Sequence, residues 1–128
     1  GHSKGDAVAY LPKEKLLFTG DLCVNWKSGN NAADADADPV NWVKALNDMA
    51  RWDVKTVVPG HGGLGGTATL KGQAAYLDDM WKQVSAGKRA NKTDEQLAAE
   101  INLARHGDWA VDTERNKVAI RAMYKKAK

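Results

Sequence analysis

Apolar and polar positions along the chain alternate with two periods, and the change between them marks out the elements. Residues 6–12, Asp-Ala-Val-Ala-Tyr-Leu-Pro, read as a short strand, and 16–19, Leu-Leu-Phe-Thr, as a second. The turn chemistry of Pro12-Lys13-Glu14-Lys15 between them makes a hairpin. Residues 22–38 read as a long loop rich in Asn, Gly, Ala and Asp, and loops of that length in small domains are usually functional or mobile. Asp38-Pro39 is a helix start, with Asp as N-cap and Pro in the first turn, and Val43, Leu46, Met49 and Ala50 follow at helical spacing, predicting a helix over 39–51. Residues 55–58, Lys-Thr-Val-Val, stopped by Pro59-Gly60, predict a short buried strand. Leu70, Leu77, Trp81 and Val84 trace one face of a helix over 69–86, with Gly87 as its C-cap. Thr93-Asp94-Glu95-Gln96 fits a capping box and opens a helix through about Ala104, with Leu97 and Ile101 inward. A last helix is expected over 113–125, with Val118, Ala122 and Met123 inward. Two strands, a helix, a strand and three helices make an α/β chain whose one small sheet is covered by helices. So few strands for so many helices leave an edge or a face of that sheet wanting a partner.

Composition agrees with a folded single domain or half-domain over residues 1–128: 43% of residues are hydrophobic and 27% charged. No apolar run approaches the about 18 residues that span a membrane, and no signal peptide opens the chain. The net charge of +3 is unevenly placed. Arg115 to Lys128 carries six Lys or Arg and no acid, whereas Asp34, Asp36 and Asp38 cluster in the long loop. No aromatic interleaving or nucleic-acid motif accompanies the basic tail, which reads as a solvated helix face; neither nucleic acid nor membrane is expected as a partner. A single cysteine, Cys23, excludes an internal disulfide.

Candidate chemistry gathers at three places where a strand gives way to a loop: Gly1-His2-Ser3, Phe18-Thr19-Gly20-Asp21 and Val57-Val58-Pro59-Gly60-His61-Gly62-Gly63. Gly60, Gly62, Gly63 and Gly65 surround His61, so the backbone turns sharply and leaves the imidazole approachable. Asp21 follows a glycine at a strand end, where functional groups of α/β proteins concentrate. His plus carboxylate suits zinc, with bonds of about 2.0–2.2 Å. Each residue also has a plainer reading: His61 as a surface histidine, Asp21 as a turn aspartate bonding its own backbone. His106, before Gly107, reads as structural. Asp34-Ala-Asp-Ala-Asp38 opens like a calcium loop, but Pro39 stands where the glycine belongs and Ala45 where the bidentate acid belongs. Cys23 has no partner at motif spacing, Ser3 and Ser28 lack a nucleophile elbow, and the 60–66 glycines are not a P-loop. Of five tryptophans, Trp26 stands apart, because it lies in the long loop next to Asp21.

In order, Gly-His-Ser-Lys-Gly-Asp-Ala-Val-Ala-Tyr-Leu-Pro, Leu-Phe-Thr-Gly-Asp, Asp-Pro-Val-Asn-Trp and Val-Val-Pro-Gly-His-Gly, with Asp108-Trp109 and Ala122-Met123-Tyr124 in the tail, resemble the C-terminal half of the metallo-β-lactamase superfamily. The resemblance implies half of an αβ/βα sandwich with a helical C-terminal tail and a two-zinc site at one edge. It implies that His2 completes the first metal's histidines, Asp21 bridges the two metals, and His61 binds the second. Asp rather than Cys or Ser at position 21 resembles the broader hydrolases of the superfamily, and Cys23 is not the same position. The family's His-x-His-x-Asp-His motif, which supplies the remaining ligands, is absent from these 128 residues. The expectation is therefore a C-terminal half, left by proteolysis or by design, that alone binds zinc weakly and has no appreciable hydrolase activity.

For the intact protein the resemblance implies a metal-bound hydroxide attacking a small-molecule substrate (β-lactam, lactone, thioester or related), with Asp21 orienting the nucleophile and Trp26, Asn30 and Asn31 contacting substrate. The partner would be the missing N-terminal half or a second copy of the chain in a homodimer. A soluble protein is expected, periplasmic or secreted if a preceding segment carries a signal peptide. The alternative is a non-catalytic module that self-associates through its exposed sheet face.

Overall fold

The structure, a computed structural model, describes residues 1–27 and 32–128. Strands β1 (Ala9–Leu11), β2 (Leu16–Gly20) and β3 (Thr56–Pro59) form one sheet in that order. β1 pairs antiparallel with β2, as the hairpin reading expects, and is shorter than 6–12. Its leading residues are drawn into a turn in which Asp6 accepts from the Ser3 N–H (3.0 and 3.1 Å) and hydroxyl (2.6 Å). β3 pairs parallel with β2, which requires a crossover, and helix α1 (Pro39–Met49) makes it. Asp38 caps α1 by accepting from Asn41 N–H at 3.1 Å. Helices α2 (Thr67–Arg89), α3 (Asp94–Glu100) and α4 (Thr113–Lys126) follow, with 3₁₀ turns over Ala104–Ala110 that are broken at Gly107. No helix among the described residues is long and apolar enough to cross a membrane.

One face of the sheet carries Tyr10, Leu17, Thr19 and Val57 against Trp42 and Leu46 of α1 and Leu70, Ala74 and Leu77 of α2, most of them fully buried. The other face carries Ala9, Leu11, Leu16, Phe18 and Val58, set by the register Ala9–Phe18, Leu11–Leu16 and Phe18–Val58. Leu11 and Phe18 are each 40% exposed there. An α/β chain with a small sheet and helices is thus what forms, and its helices cover one side.

Three helix readings change. α2 does not stop at Gly87; it runs on to Arg89, and Asn91 (φ +61°) takes the left-handed position. Lys92 N–H donates to Gly87 O and Asn91 N–H to Lys88 O, both at 3.0 Å, which is the Schellman closure built on asparagine. Gly87 serves packing instead, because a Cβ there would meet Leu97 Cδ2 at 2.3 Å. The helix opened by the Thr93–Gln96 capping box ends at Glu100, where Ile101 turns extended, rather than reaching Ala104. In α4 the buried stripe is Asn116, Ala119, Ile120 and Met123, so Met123 points inward while Val118 is 53% exposed. Asn116 is accepted inside because Tyr76 Oη donates to its Oδ1 at 2.7 Å and its Nδ2 donates to Ala110 O at 2.9 Å.

His106 ends the first 3₁₀ turn, just before the break at Gly107, and its ring belongs to a partly buried network around Asp79. Its Nε2 lies 2.8 Å from Asp79 Oδ2, and Arg105 and Gln83 bond Asp79 Oδ1 at 2.6 and 2.9 Å. Burial alone would raise the Asp79 carboxyl, but the hydrogen bonds from His106, Gln83 and Arg105 hold it below the usual carboxylate range.

Cys23 is fully buried, and burial pushes its thiol up to about 12. Alkylation by iodoacetamide at pH 8 is expected to be about a hundredfold slower or more in the folded chain than in urea. Equal rates, followed by mass spectrometry, would show that the loop leaving β2 is not packed as described.

Candidate metal centre

The parallel pairing of β2 and β3 brings two strand ends side by side, with Gly20 in register with Pro59. Asp21 leaves one end and His61 the other. His61 Nε2 lies 3.2 Å from Asp21 Oδ1, and each side chain is about half exposed (50% and 44%). Their approach depends on glycine: a Cβ on Gly60 would sit 2.2 Å from Asp21 Oδ1 and within 2.8 Å of the Gly20 carbonyl. Gly60 N–H donates to Gly20 O (2.9 Å) and Cys23 O (3.0 Å), tying the two ends together.

The loop leaving β2 then fits against the glycine turn. Asn25 N–H donates to His61 O at 2.8 Å, and Asn25 Nδ2 to Gly63 O at 3.0 Å. Trp26 stacks on the His61 ring, centroids 4.7 Å apart and 22° between planes. The Arg115 guanidinium stands 5.8 Å from the Trp26 ring. Trp26, expected from sequence to touch substrate, therefore has one face on His61 and fixes that ring's tilt. Asn30 and Asn31, expected beside it, lie outside the described residues.

Beneath this surface, three buried side chains anchor the exit of β2. Gln73 Nε2 donates to Leu22 O at 2.7 Å and Gln73 Oε1 accepts from Val24 N–H at 3.0 Å; the Trp42 indole N–H donates to the same Leu22 carbonyl at 2.8 Å. Thr19 Oγ1, also buried, bonds Gly20 O at 3.0 Å and Cys23 O at 3.3 Å. Sequence reasoning passes over Gln73 and Asn25. The signal for Gln73 was available: it follows Leu70 by three residues and precedes Leu77 by four, a polar residue on an apolar stripe.

His2 is held elsewhere in the same neighbourhood. Its ring meets Trp42 edge-on, centroids 5.4 Å apart at 82°. Gly1 O accepts from Asp38 N–H at 2.8 Å, pinning the first residues to the N-cap of α1. Partial desolvation alone would raise the Asp6 carboxyl, but Ser3 hydrogen bonds, the chain amine and His2 together hold it below the usual range.

Whether zinc suits this place can be judged from the donors. Two ligands of one tetrahedral zinc stand about 3.3–3.4 Å apart when the bonds are 2.0–2.1 Å, and the Asp21–His61 separation of 3.2 Å is close to that edge as well as being a hydrogen-bond distance. The pair fits two corners of a zinc shell. Among the described residues no three His, Cys, Asp or Glu side chains are grouped to hold an ion, so the third corner that a catalytic zinc needs is not supplied by His2 in this arrangement.

No known protein-family model matches the chain. Over 73 residues it is 34% identical to a metallo-β-lactamase type 2 of Bacteroides fragilis. That stretch is 56% of this chain but 29% of the bacterial protein, so the chain spans under a third of the length of the relative it matches. The similarity supports a relationship at the level of the metallo-β-lactamase superfamily, and the three-stranded sheet with its helices is compatible with part of that fold.

Proposed function

We propose that this chain is the C-terminal part of a zinc-dependent hydrolase of the metallo-β-lactamase superfamily, contributing part of a two-metal site. The observation that carries the reading is the Asp21–His61 pair, a carboxylate and an imidazole 3.2 Å apart at adjoining strand ends. The partial likeness to a metallo-β-lactamase supports it. In this reading Asp21, His61 and His2 would be the residues through which the chain holds zinc, Asp21 and His61 as the pair already in place and His2 as a ligand brought in with the missing layer. Zinc in such sites activates water at neutral pH and stabilises negative charge developing on a carbonyl or phosphoryl oxygen.

The chain's own residues do the rest. Trp26 and the Asn25 backbone set the His61 ring, and Gln73 and Trp42 keep the loop after Asp21 in place. Asp21 is about half exposed and so can accept a hydrogen bond from, and orient, a water beside it. Trp26, 37% exposed, would offer its uncovered surface to substrate, with Asn30 and Asn31 following it in sequence. The substrate class is a small molecule with a hydrolysable acyl or related bond: β-lactam, lactone or thioester.

The remaining ligands would come from another layer. The uncovered sheet face with Leu11 and Phe18 is where that layer would dock, whether a preceding segment of a longer protein or a second copy of the chain. A zinc titration by calorimetry tests the reading. The chain alone is expected to bind zinc only in the micromolar range or weaker, with no ester or lactam turnover, and Asp21→Ala or His61→Ala should remove that binding. Nanomolar stoichiometric zinc, turnover by the chain alone, or binding unchanged in both variants would overturn it. A His-x-His-x-Asp-His motif in the coding sequence upstream of Gly1 would identify the other layer.

A further inference from the structure

On the side of the helices away from the sheet, α1 and α2 leave a groove of about 860 Å³, within the range of small-ligand pockets. Its body is apolar, made by Val40 and Val43 of α1 and by Trp81 and Ala86 of α2. Val40 is 56% exposed and Trp81 only partly covered. Trp81 was expected to point into the core; it lies at the core's margin and shows part of its ring to the groove.

Charge around the groove is one-sided: five cations line it against one carboxylate, Asp78. Asp78 is already paired with Lys82 at 2.6 Å, and Lys44 with Asp48 at 2.5 Å. At the other end the C-terminal residues of the chain close the groove beside the last turn of α2, bringing Arg89, Lys126 and Lys128 together. Lys126 spends two of its donors on the carbonyls of Asp34 and Ala37, both at 2.7 Å, which fixes its position. Arg89 and Lys128 have no ion pair or hydrogen-bonded side-chain partner among the described residues. An apolar trough thus ends in a cluster of positive side chains.

We propose that this groove binds an anionic amphiphile, a small carboxylate with an apolar tail, whose head pairs with Arg89 and Lys128 and whose tail lies on Val40, Val43 and Trp81. Arg offers a carboxylate two parallel N–H donors, and Lys128 adds a second charge. Apolar burial along the trough favours a tail over a bare anion. The pairing of head with one end fixes the ligand's direction. This site is built from residues other than Asp21 and His61, so it stands whether or not the hydrolase reading does.

Isothermal titration with sodium dodecanoate, kept below its micelle concentration, tests the proposal on the chain as it is. One dodecanoate per chain is expected to bind saturably. Acetate, with the head alone, and dodecyltrimethylammonium, with the tail but the opposite charge, should each bind at least about tenfold more weakly. The double variant Arg89→Gln/Lys128→Gln should weaken dodecanoate about tenfold, and so should Val40→Asp, which places a negative charge on the exposed floor. Both variants are at exposed positions, and a thermal melt matching the parent confirms that they fold. Equal binding of dodecyltrimethylammonium, no saturable binding, or affinity within twofold in Arg89→Gln/Lys128→Gln overturns the proposal. So does sedimentation showing that two chains close over the groove without ligand, which would make it a self-association face.

Discussion

Gly62→Ala is expected to destabilise the chain by about 3 kcal/mol and to take His61 away from Asp21. Gly62 has φ +87°, a backbone conformation that costs an L side chain about 1–2 kcal/mol. Steric overlap adds to this, since a Cβ there would lie 1.9 Å from Asn25 O and 2.4 Å from its carbonyl carbon. The neighbour is backbone, and that backbone is held by the Asn25 N–H donation to His61 O. Relief therefore requires the glycine turn and the loop after β2 to part, which also unstacks Trp26 from His61. Gly63→Ala is the internal control: a Cβ there meets nothing within 4 Å and its φ is not in the left-handed region. It should change stability by under about 1 kcal/mol. Urea unfolding followed by far-UV circular dichroism measures both. Equal effects of the two substitutions would mean that Gly62 is not constrained as described.

Trp42→Ala carries the second large effect, an expected loss of about 3–5 kcal/mol. Trp42 is fully buried between α1 and the sheet, and its removal leaves a cavity among residues already close-packed. It also removes the indole donor to Leu22 O and the ring against which His2 lies. Trp42→Phe separates the contributions. The ring remains, and Leu22 O keeps the bond from Gln73 Nε2, so no carbonyl is left unsatisfied. The cost should then fall to about 1–2 kcal/mol. Denaturant midpoints for the two variants, with unchanged slopes, check this. A Trp42→Ala loss under 1 kcal/mol would show that α1 does not rest on this side chain.

Helix starts were legible because caps are local. Asp38 reaching Asn41 N–H, and Thr93 exchanging bonds with Gln96, span three residues each, so the pattern that forms them lies within one turn of sequence. Helix ends and faces were less so. Gly87 looks like a C-cap until Leu97 of α3 is laid over it, and the end is closed four residues later by Asn91. Val118 looks like a core residue until α4 is rotated to place Asn116 under Tyr76 Oη. In both cases the deciding neighbour comes from another element.

The same division runs through the candidate site. Sequence alone singled out Asp21 and His61, because a glycine before an aspartate and a histidine among glycines are unusual local chemistry at strand ends. It could not bring them together. They stand 40 positions apart (61 less 21), and they meet only because β3 pairs parallel with β2 in the register that sets Gly20 beside Pro59. Tertiary packing likewise turned Trp26 onto His61, buried Gln73 beneath the loop, and set His2 on Trp42 rather than in a group of three ligands. Local patterns of caps, turns and periodicity are encoded within a few residues of each other. The distances that make a donor pair are decided by hydrogen bonds and burial between segments far apart in the chain.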